Sequence, residues 1–369
     1  MIDKSQILTA LKLVDDPDLK KDIVSLNMVQ DVIISDTEIE IHVKLTTPVC
    51  PLKGQIEADI INTLKTELEI SQNIVVDFSA TVTTTRKDKD QLLPGVKNVI
   101  AVASGKGGVG KSTISVNLAA GLAKKGAKVG LIDADIYGPS IPIMFGLVNA
   151  RPGVTEENGK PKILPIEKYG VKLLSIGFLA DADTAVVWRG PMVSSALKQF
   201  VGDTIWGELD YLIIDLPPGT GDIHLSLVQG VPLTGAIIVT TPQQVAIADV
   251  KKSIAMFQMP QLKVPIIGMV ENMAYFVPND APDKKYFIFG EKGGEKLADE
   301  LDLPLLAQIP LQENIGLAGD NGKPITLSEE NTPIVAAFNN FVENTARNIS
   351  ILNAQKAELE TETSVEING

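Results

Sequence analysis

The sequence predicts an α/β three-layer sandwich on a mostly parallel sheet, preceded by a small α+β domain. Three observations carry that prediction. Short runs that are apolar on both sides recur from residue 97 onward, helical stretches separate several of them, and the first 83 residues follow a different pattern. Strands without a polar face need helices covering both sides of their sheet.

The N-terminal unit is read as residues 1–83. Ile7, Leu8 and Leu11 share one helical face between Ser5 and Leu13, and Asp15-Asp16-Pro17 stops that helix. Glu38 to Leu45 alternates strictly, E-I-E-I-H-V-K-L, which is the period of a half-buried strand with His42 on its polar face. A helix over Leu52 to Leu68 and a strand over Ile74 to Phe78 complete the unit. Residues 84–95 are polar and charged, end in Pro94-Gly95, and read as an interdomain linker.

The second domain is read as residues 96–350. Its strands are Val99 to Ala103, Val129 to Ile132, Tyr211 to Ile214, Ala236 to Val239 and Ile266 to Val270. Ser112 to Lys125 and Val245 to Phe257 are helices between them. Residues 351–369 hold one Lys and four Glu, and their composition predicts a flexible acidic tail.

Composition excludes several function classes. With 33 Lys+Arg against 46 Asp+Glu the net charge is −13, which argues against nucleic-acid binding by bulk electrostatics. The single cysteine, Cys50, excludes an internal disulfide and any zinc site built from several cysteines of one chain. The two histidines, His42 and His224, are too far apart in sequence to suggest a metal centre. No apolar run reaches the ~18–20 residues of a membrane span, and the N-terminus lacks the basic-then-apolar layout of a signal peptide. The expectation is a soluble cytoplasmic protein with neither nucleic acid nor membrane as a partner.

The strongest motif is Gly105-Lys106-Gly107-Gly108-Val109-Gly110-Lys111-Ser112, which fits G-x-x-x-x-G-K-[ST] between a strand and a helix. Such glycines let backbone N–H groups face a phosphate, and the helix N-terminus adds its dipole. The segment Gly105 to Thr113 is therefore expected to grip ATP, with Lys111 on the β/γ-phosphates and the Ser112 hydroxyl on Mg²⁺. Asp133 and Asp135 follow one buried strand, and carboxylates there face the ligand crevice. Asp210 to Asp215 is a Walker B pattern whose Asp215 would hold Mg²⁺, and Pro217 to Asp222 forms a switch-like loop. Glu271-Asn272-Met273 ends another strand. Asn272 can pair with an adenine edge there, or simply form a turn.

Lys106 makes the loop a deviant Walker A motif, K-G-G-x-G-K-[ST], and here the chain resembles the SIMIBI class of P-loop NTPases, which includes MinD, ParA and the nitrogenase iron protein. That resemblance implies a catalytic set of Lys106, Lys111 and Asp135. Lys106 would reach across a homodimer to the partner's phosphates and Asp135 would position the attacking water. Asp133 would help organise the metal shell, and Asn272 would meet adenine. The stretches V-W-R-G-P-M-V (Val187 to Val193), Trp206 to Asp222, D-A-D-I-Y-G-P-S and V-E-N-M closely resemble the Mrp/ApbC (Nbp-type) iron–sulfur cluster carrier ATPases, over about residues 95–345. D-P-D-L and T-T-P-V-C-P (Thr46 to Pro51) resemble the PaaD/SufT-like iron–sulfur assembly domain. The resemblances imply a slow, Mg²⁺-dependent, homodimeric ATPase that carries clusters to apoproteins or works with assembly factors.

One departure stands against that pattern. The family usually has a C-x-x-C pair shortly after E-N-M, whereas the segment from Ala274 to Asp280 here holds no cysteine. Cys50 is then the one candidate cluster ligand, and a homodimer would offer two thiolates where a typical cluster takes four. Two alternatives remain in view: a MinD/ParA-like positioning or adaptor ATPase, and an Mrp-like ATPase that escorts clients without a cluster. A positioning ATPase needs a basic surface or a basic amphipathic helix. The C-terminal helix, with Phe338, Phe341 and Val342 on one side, has few basic residues and is expected to pack on the core.

Overall fold

A computed structural model describes residues 2–86, 92–135, 138–178, 198–278, 280–281, 284–330 and 332–368, the side chains of 222–223 and 361–368 apart. The V-W-R-G-P-M-V stretch and the middle of D-A-D-I-Y-G-P-S lie outside the described residues. The chain divides into two compact units, residues 1–85 with 346–369, and residues 86–345.

The smaller unit opens with α1 (Lys4–Leu11), started by a capping box in which Asp3 and Gln6 satisfy each other's backbone N–H groups. A two-residue ladder, β1 (Asp15–Asp16) with β2 (Lys21–Asp22), precedes a sheet of β3 (Val29–Ile34), β4 (Glu38–Leu45) and β5 (Asn73–Ala80). The alternation seen in sequence holds: Ile39, Ile41, Val43 and Leu45 are buried. They share a core with Ile56, Ile60 and Leu64 of α2 (Lys53–Leu68). His42 points to the other face, its Nδ1 3.2 Å from Asp77 Oδ2.

Unit 2 is built on an eight-stranded sheet. In chain order its strands and helices are β6 (Val96–Ser104), α3 (Lys111–Lys124), β7 (Val129–Asp133), α4 (Ile141–Met144), β10 (Ile166–Lys168) and β11 (Val171–Ser175). The hairpin of β8 (Gly153–Glu157) and β9 (Lys160–Leu164) is a separate ladder. Then come β12 (Leu209–Asp215), α5 (Asp222–Gly230), β13 (Gly235–Thr240), α6 (Gln244–Phe257) and β14 (Ile266–Phe276). The last elements are α7 (Gly293–Glu300), β15 (Leu305–Leu311), α8 (Glu313–Asp320) and α9 (Pro333–Asn368). The sheet order is β10-β11-β7-β12-β6-β13-β14-β15, parallel throughout except for the antiparallel edge strand β10. β6 lies between β12 and β13, so the chain leaves it toward one side of the sheet and later returns to the other. A crevice opens at the carboxyl ends of such strands.

Helix α9 contributes to both units. Phe338, Phe341 and Val342 are fully buried, and a Cβ on Gly121 of α3 would sit 2.5 Å from Val342 Cγ2. Beyond residue 345 the helix belongs to unit 1 and runs on to Asn368 where the composition had suggested a flexible tail. Ala346, Ile349, Ser350 and Asn353 fall at i, i+3, i+4 and i+7 and are buried, a stripe that a charge count does not reveal. Asn353 Nδ2 donates to the Thr83 carbonyl at 2.9 Å. The predicted linker is also partly docked. Leu93 is buried in the core of unit 2, and the Arg86 guanidinium donates to the carbonyls of Val96 (2.5 Å) and Leu93 (3.3 Å). Among the described residues no helix is long and apolar enough to cross a membrane.

Candidate nucleotide-hydrolysis site

The loop after β6 is shaped by its neighbours. A Cβ on Gly105 would lie 2.4 Å from the carbonyl carbon of Asp249 on α6, so only glycine lets the loop start there. Gly108 and Gly110 have φ of +80° and +81°, left-handed values that suit glycine. Gly110 is the N-cap of α3 and provides no side-chain acceptor, which leaves the helix's first N–H groups open toward the cleft. The cleft is lined by the glycine loop with Asp135, Ser140, Met144 and Pro218.

At its floor sits a buried cluster of charged and hydroxyl groups. Lys111, 6% exposed, places Nζ 2.8 Å from Oδ2 of Asp215, which is completely buried at the end of β12. Ser112 Oγ donates to the same Oδ2 at 2.6 Å, and Ser115 Oγ donates to Oδ1 at 2.6 Å. Asp133 is the register neighbour of Asp215 on the adjacent parallel strand. Its Oδ2 accepts from Ser175 Oγ (3.0 Å) and the Ile141 N–H (3.3 Å), and its Oδ1 accepts from the Asp135 N–H (3.2 Å). Burial, then the nearby Asp215 charge, push the Asp133 carboxyl up to about 7.

The other predicted residues also have definite places. Lys106 Nζ donates to Gln243 Oε1 at 3.3 Å, at the N-cap of α6. Asn272, buried at the carboxyl side of β14, donates through Nδ2 to the Val109 carbonyl at 2.8 Å and so ties the glycine loop to the sheet. In the switch-like loop Gly219 has φ +100°, and its N–H bonds the Ser104 carbonyl at 3.0 Å. Cys50 lies in unit 1, half-buried beside Asp16, Asp18 and Arg347. Burial raises its thiol pKa, and the two aspartates add to that. Cys50 thus belongs to one unit and the Lys111–Asp215 cluster to the other.

Sequence reasoning missed Ser115, Ser175, His224 and Glu271. Ser115 was within reach: it lies three residues after Ser112 on a helix, hence on the same face. His224 is buried, its Nε2 2.5 Å from the Pro217 carbonyl at the head of the switch-like loop, and burial lowers its pKa. Glu271 is fully buried, and accepts from the Gly294 N–H (2.9 Å) and from Gln308 Nε2 (2.7 Å). The two Glu271 pairings span 23 and 37 residues, and no local pattern announces them. After Asn272 the strand continues to Phe276, whose backbone pairs with Tyr286, and Lys285 Nζ lies 4.2 Å from the Tyr275 ring centroid.

A glycine loop on a central parallel strand, a lysine at the following helix N-terminus and an aspartate on the neighbouring strand define a P-loop NTPase. The family model described as NUBPL iron-transfer P-loop NTPase matches residues 95–346, and the chain belongs to that family. A second model, for an iron–sulfur cluster assembly protein, matches residues 4–78. The iron–sulfur cluster carrier protein of Synechocystis is 44% identical over 352 residues, covering 95% of this chain and 99% of its own. That of Deinococcus radiodurans is 47% identical, covering 94% of this chain and 95% of its own. Among solved structures, a nucleotide-binding protein from Archaeoglobus fulgidus in complex with ADP is similar, at 39% identity with a TM-score of 0.57. It covers 67% of this chain and 95% of its own.

Proposed function

We propose that the chain is a Mg²⁺-dependent ATPase acting as a homodimeric carrier or scaffold in iron–sulfur cluster assembly. The cluster is its cargo, bound for apoproteins or other assembly factors. The observation that carries the ATPase part is the buried Lys111–Asp215–Ser112 cluster under the glycine loop. The cargo assignment is supported by the names of the Synechocystis and Deinococcus relatives and by the two family matches.

The donor set suits Mg²⁺. Ser112 Oγ and the Asp215 carboxylate are hard oxygen donors 2.6 Å apart, and Mg²⁺ takes one or two carboxylates together with phosphate oxygens. Among the described residues no cluster of three or more His, Cys, Asp or Glu is arranged as an all-protein metal cage. When bound, the ion would neutralise charge on the β- and γ-phosphate oxygens.

The remaining roles belong to the chain's own groups. Gly105, Gly107, Gly108, Val109, Gly110 and Thr113 cradle the phosphates. Lys111 leaves Asp215 for the β/γ-phosphates, and Lys106 leaves Gln243 to act in trans on the partner's nucleotide. Asp135 orients the attacking water from the rim of the cleft. Asp133 holds the entry to α4 through Ile141 and shapes the metal shell from beneath. With Asn272 Nδ2 occupied by the loop, its Oδ1 is the end that meets the adenine amino group. Slow turnover fits a site that must assemble from two chains.

Lys111→Ala removes the cation paired with Asp215. Mg²⁺-dependent phosphate release by the purified chain should fall by about 10²-fold or more, as when one electrostatic stabiliser is lost. Unchanged turnover in that variant, or none in the wild type with Mg²⁺, would sink the mechanism.

A further inference from the structure

We propose that Ser115 is a positioning residue for the Walker B carboxylate: its hydroxyl holds Asp215 Oδ1 so that Oδ2 alone is presented to the metal and nucleotide. The inference rests on the Mg²⁺-ATPase reading and adds a residue that the P-loop motif does not contain.

Among the described residues Asp215 has three polar side-chain partners, divided unequally between its oxygens. Lys111 Nζ (2.8 Å) and Ser112 Oγ (2.6 Å) both meet Oδ2, whereas Ser115 Oγ meets Oδ1 at 2.6 Å. On the ATPase reading the first two have other work once nucleotide arrives, on the phosphates and on the metal. Ser115 has none. It is fully buried one turn further along α3, and its other partner is the Lys111 carbonyl at 3.1 Å. A hydroxyl has one proton to give, and the shorter contact to a charged acceptor is the stronger bond.

The consequence concerns orientation. The terminal torsion of an aspartate is broad and two-fold, so a carboxylate released by Lys111 and Ser112 is free to swing. Ser115 fixes that torsion before and after nucleotide binds. Its spacing of three residues from Ser112 puts both hydroxyls on one helix face, one over each carboxylate oxygen. A hydroxyl that merely back-bonded the helix carbonyl would leave Asp215 unheld.

The test is equilibrium binding of a fluorescent ATP analogue to the full chain, in EDTA and across a Mg²⁺ titration. Wild type should bind more tightly as Mg²⁺ is added. Ser115→Ala should raise the half-saturating Mg²⁺ by about tenfold, the scale of one lost bond to a charged group, with affinity in EDTA changed less than about twofold. Ser115→Thr, which keeps the hydroxyl, should restore the wild-type midpoint. Ser115→Cys keeps the volume but is a poor donor. It should behave like the alanine variant, so a folding defect in one does not hide the answer. An unchanged Mg²⁺ midpoint in the alanine and cysteine variants overturns the proposal, as does an equal loss with and without Mg²⁺, which would mark a packing role. Mg²⁺-independent binding by wild type would overturn this inference; absence of Mg²⁺-dependent phosphate release by wild type would overturn the ATPase reading on which it rests.

Discussion

Two aspartates share the floor of the cleft, and their surroundings give them different tasks. Asp215 is matched by a lysine and two serine hydroxyls. Asp133 receives Ser175 and two backbone N–H groups, with no cation in contact among the described residues, and its carboxyl is raised to about 7. A carboxyl that holds its proton when folded and loses it near 3.8 when unfolded binds more protons in the native state between those values. Its contribution to stability therefore falls as pH rises from about 4 to about 7 and stays low above. Asp133→Asn cannot ionise. Thermal unfolding of the nucleotide-free variant and wild type, compared at several pH values, should show the difference moving in the variant's favour across that window. The amide also gives up one acceptor, a constant offset that leaves the trend intact. A pH-independent difference would place the Asp133 pKa at its ordinary value.

At the scale of elements, the glycine loop is wedged between β6 and α6, and its glycines do unequal work. A Cβ on Gly105 would meet the Asp249 backbone at 2.4 Å, whereas on Gly107 it would find only Pro218, at 3.9 Å. Gly105→Ala should cost about 1–3 kcal/mol through the displaced backbone, and Gly107→Ala should stay within about 0.5 kcal/mol. Chemical denaturation of the two nucleotide-free variants checks the contrast; equal midpoints would contradict it. This wedge was not legible in the sequence. The strand before the loop, the helix after it and the acids at strand ends were, because a two-sided apolar run and a motif are local signals. What α6 does to Gly105, Ser175 to Asp133, or Asn272 to Val109 depends on strand order, which places residues 42 to 163 positions apart side by side. Hairpin β8–β9 was missed for a simpler reason: its residues are partly exposed and carry Pro, Gly and charge among the apolar positions, while β15 is interrupted by Gln308 and Pro310.

For the whole molecule the decisive quantity is the one cysteine in 369 residues. Two family matches and relatives named as iron–sulfur cluster carriers point to a cluster as cargo, while the segment after Asn272 offers an aromatic strand end in place of thiols. Burial, with Asp16 and Asp18 adding to it, raises the Cys50 thiol pKa, so iron would have to displace a more firmly held proton. The −13 charge opposes bulk electrostatic attraction to nucleic acid. The most direct measurement is anaerobic reconstitution of the full chain with iron and sulfide, followed by desalting, visible absorbance and iron analysis, for wild type and Cys50→Ser. Wild type should retain protein-bound iron with visible absorbance and Cys50→Ser should lose both; wild type that retains neither iron nor absorbance would overturn a cluster held by this chain.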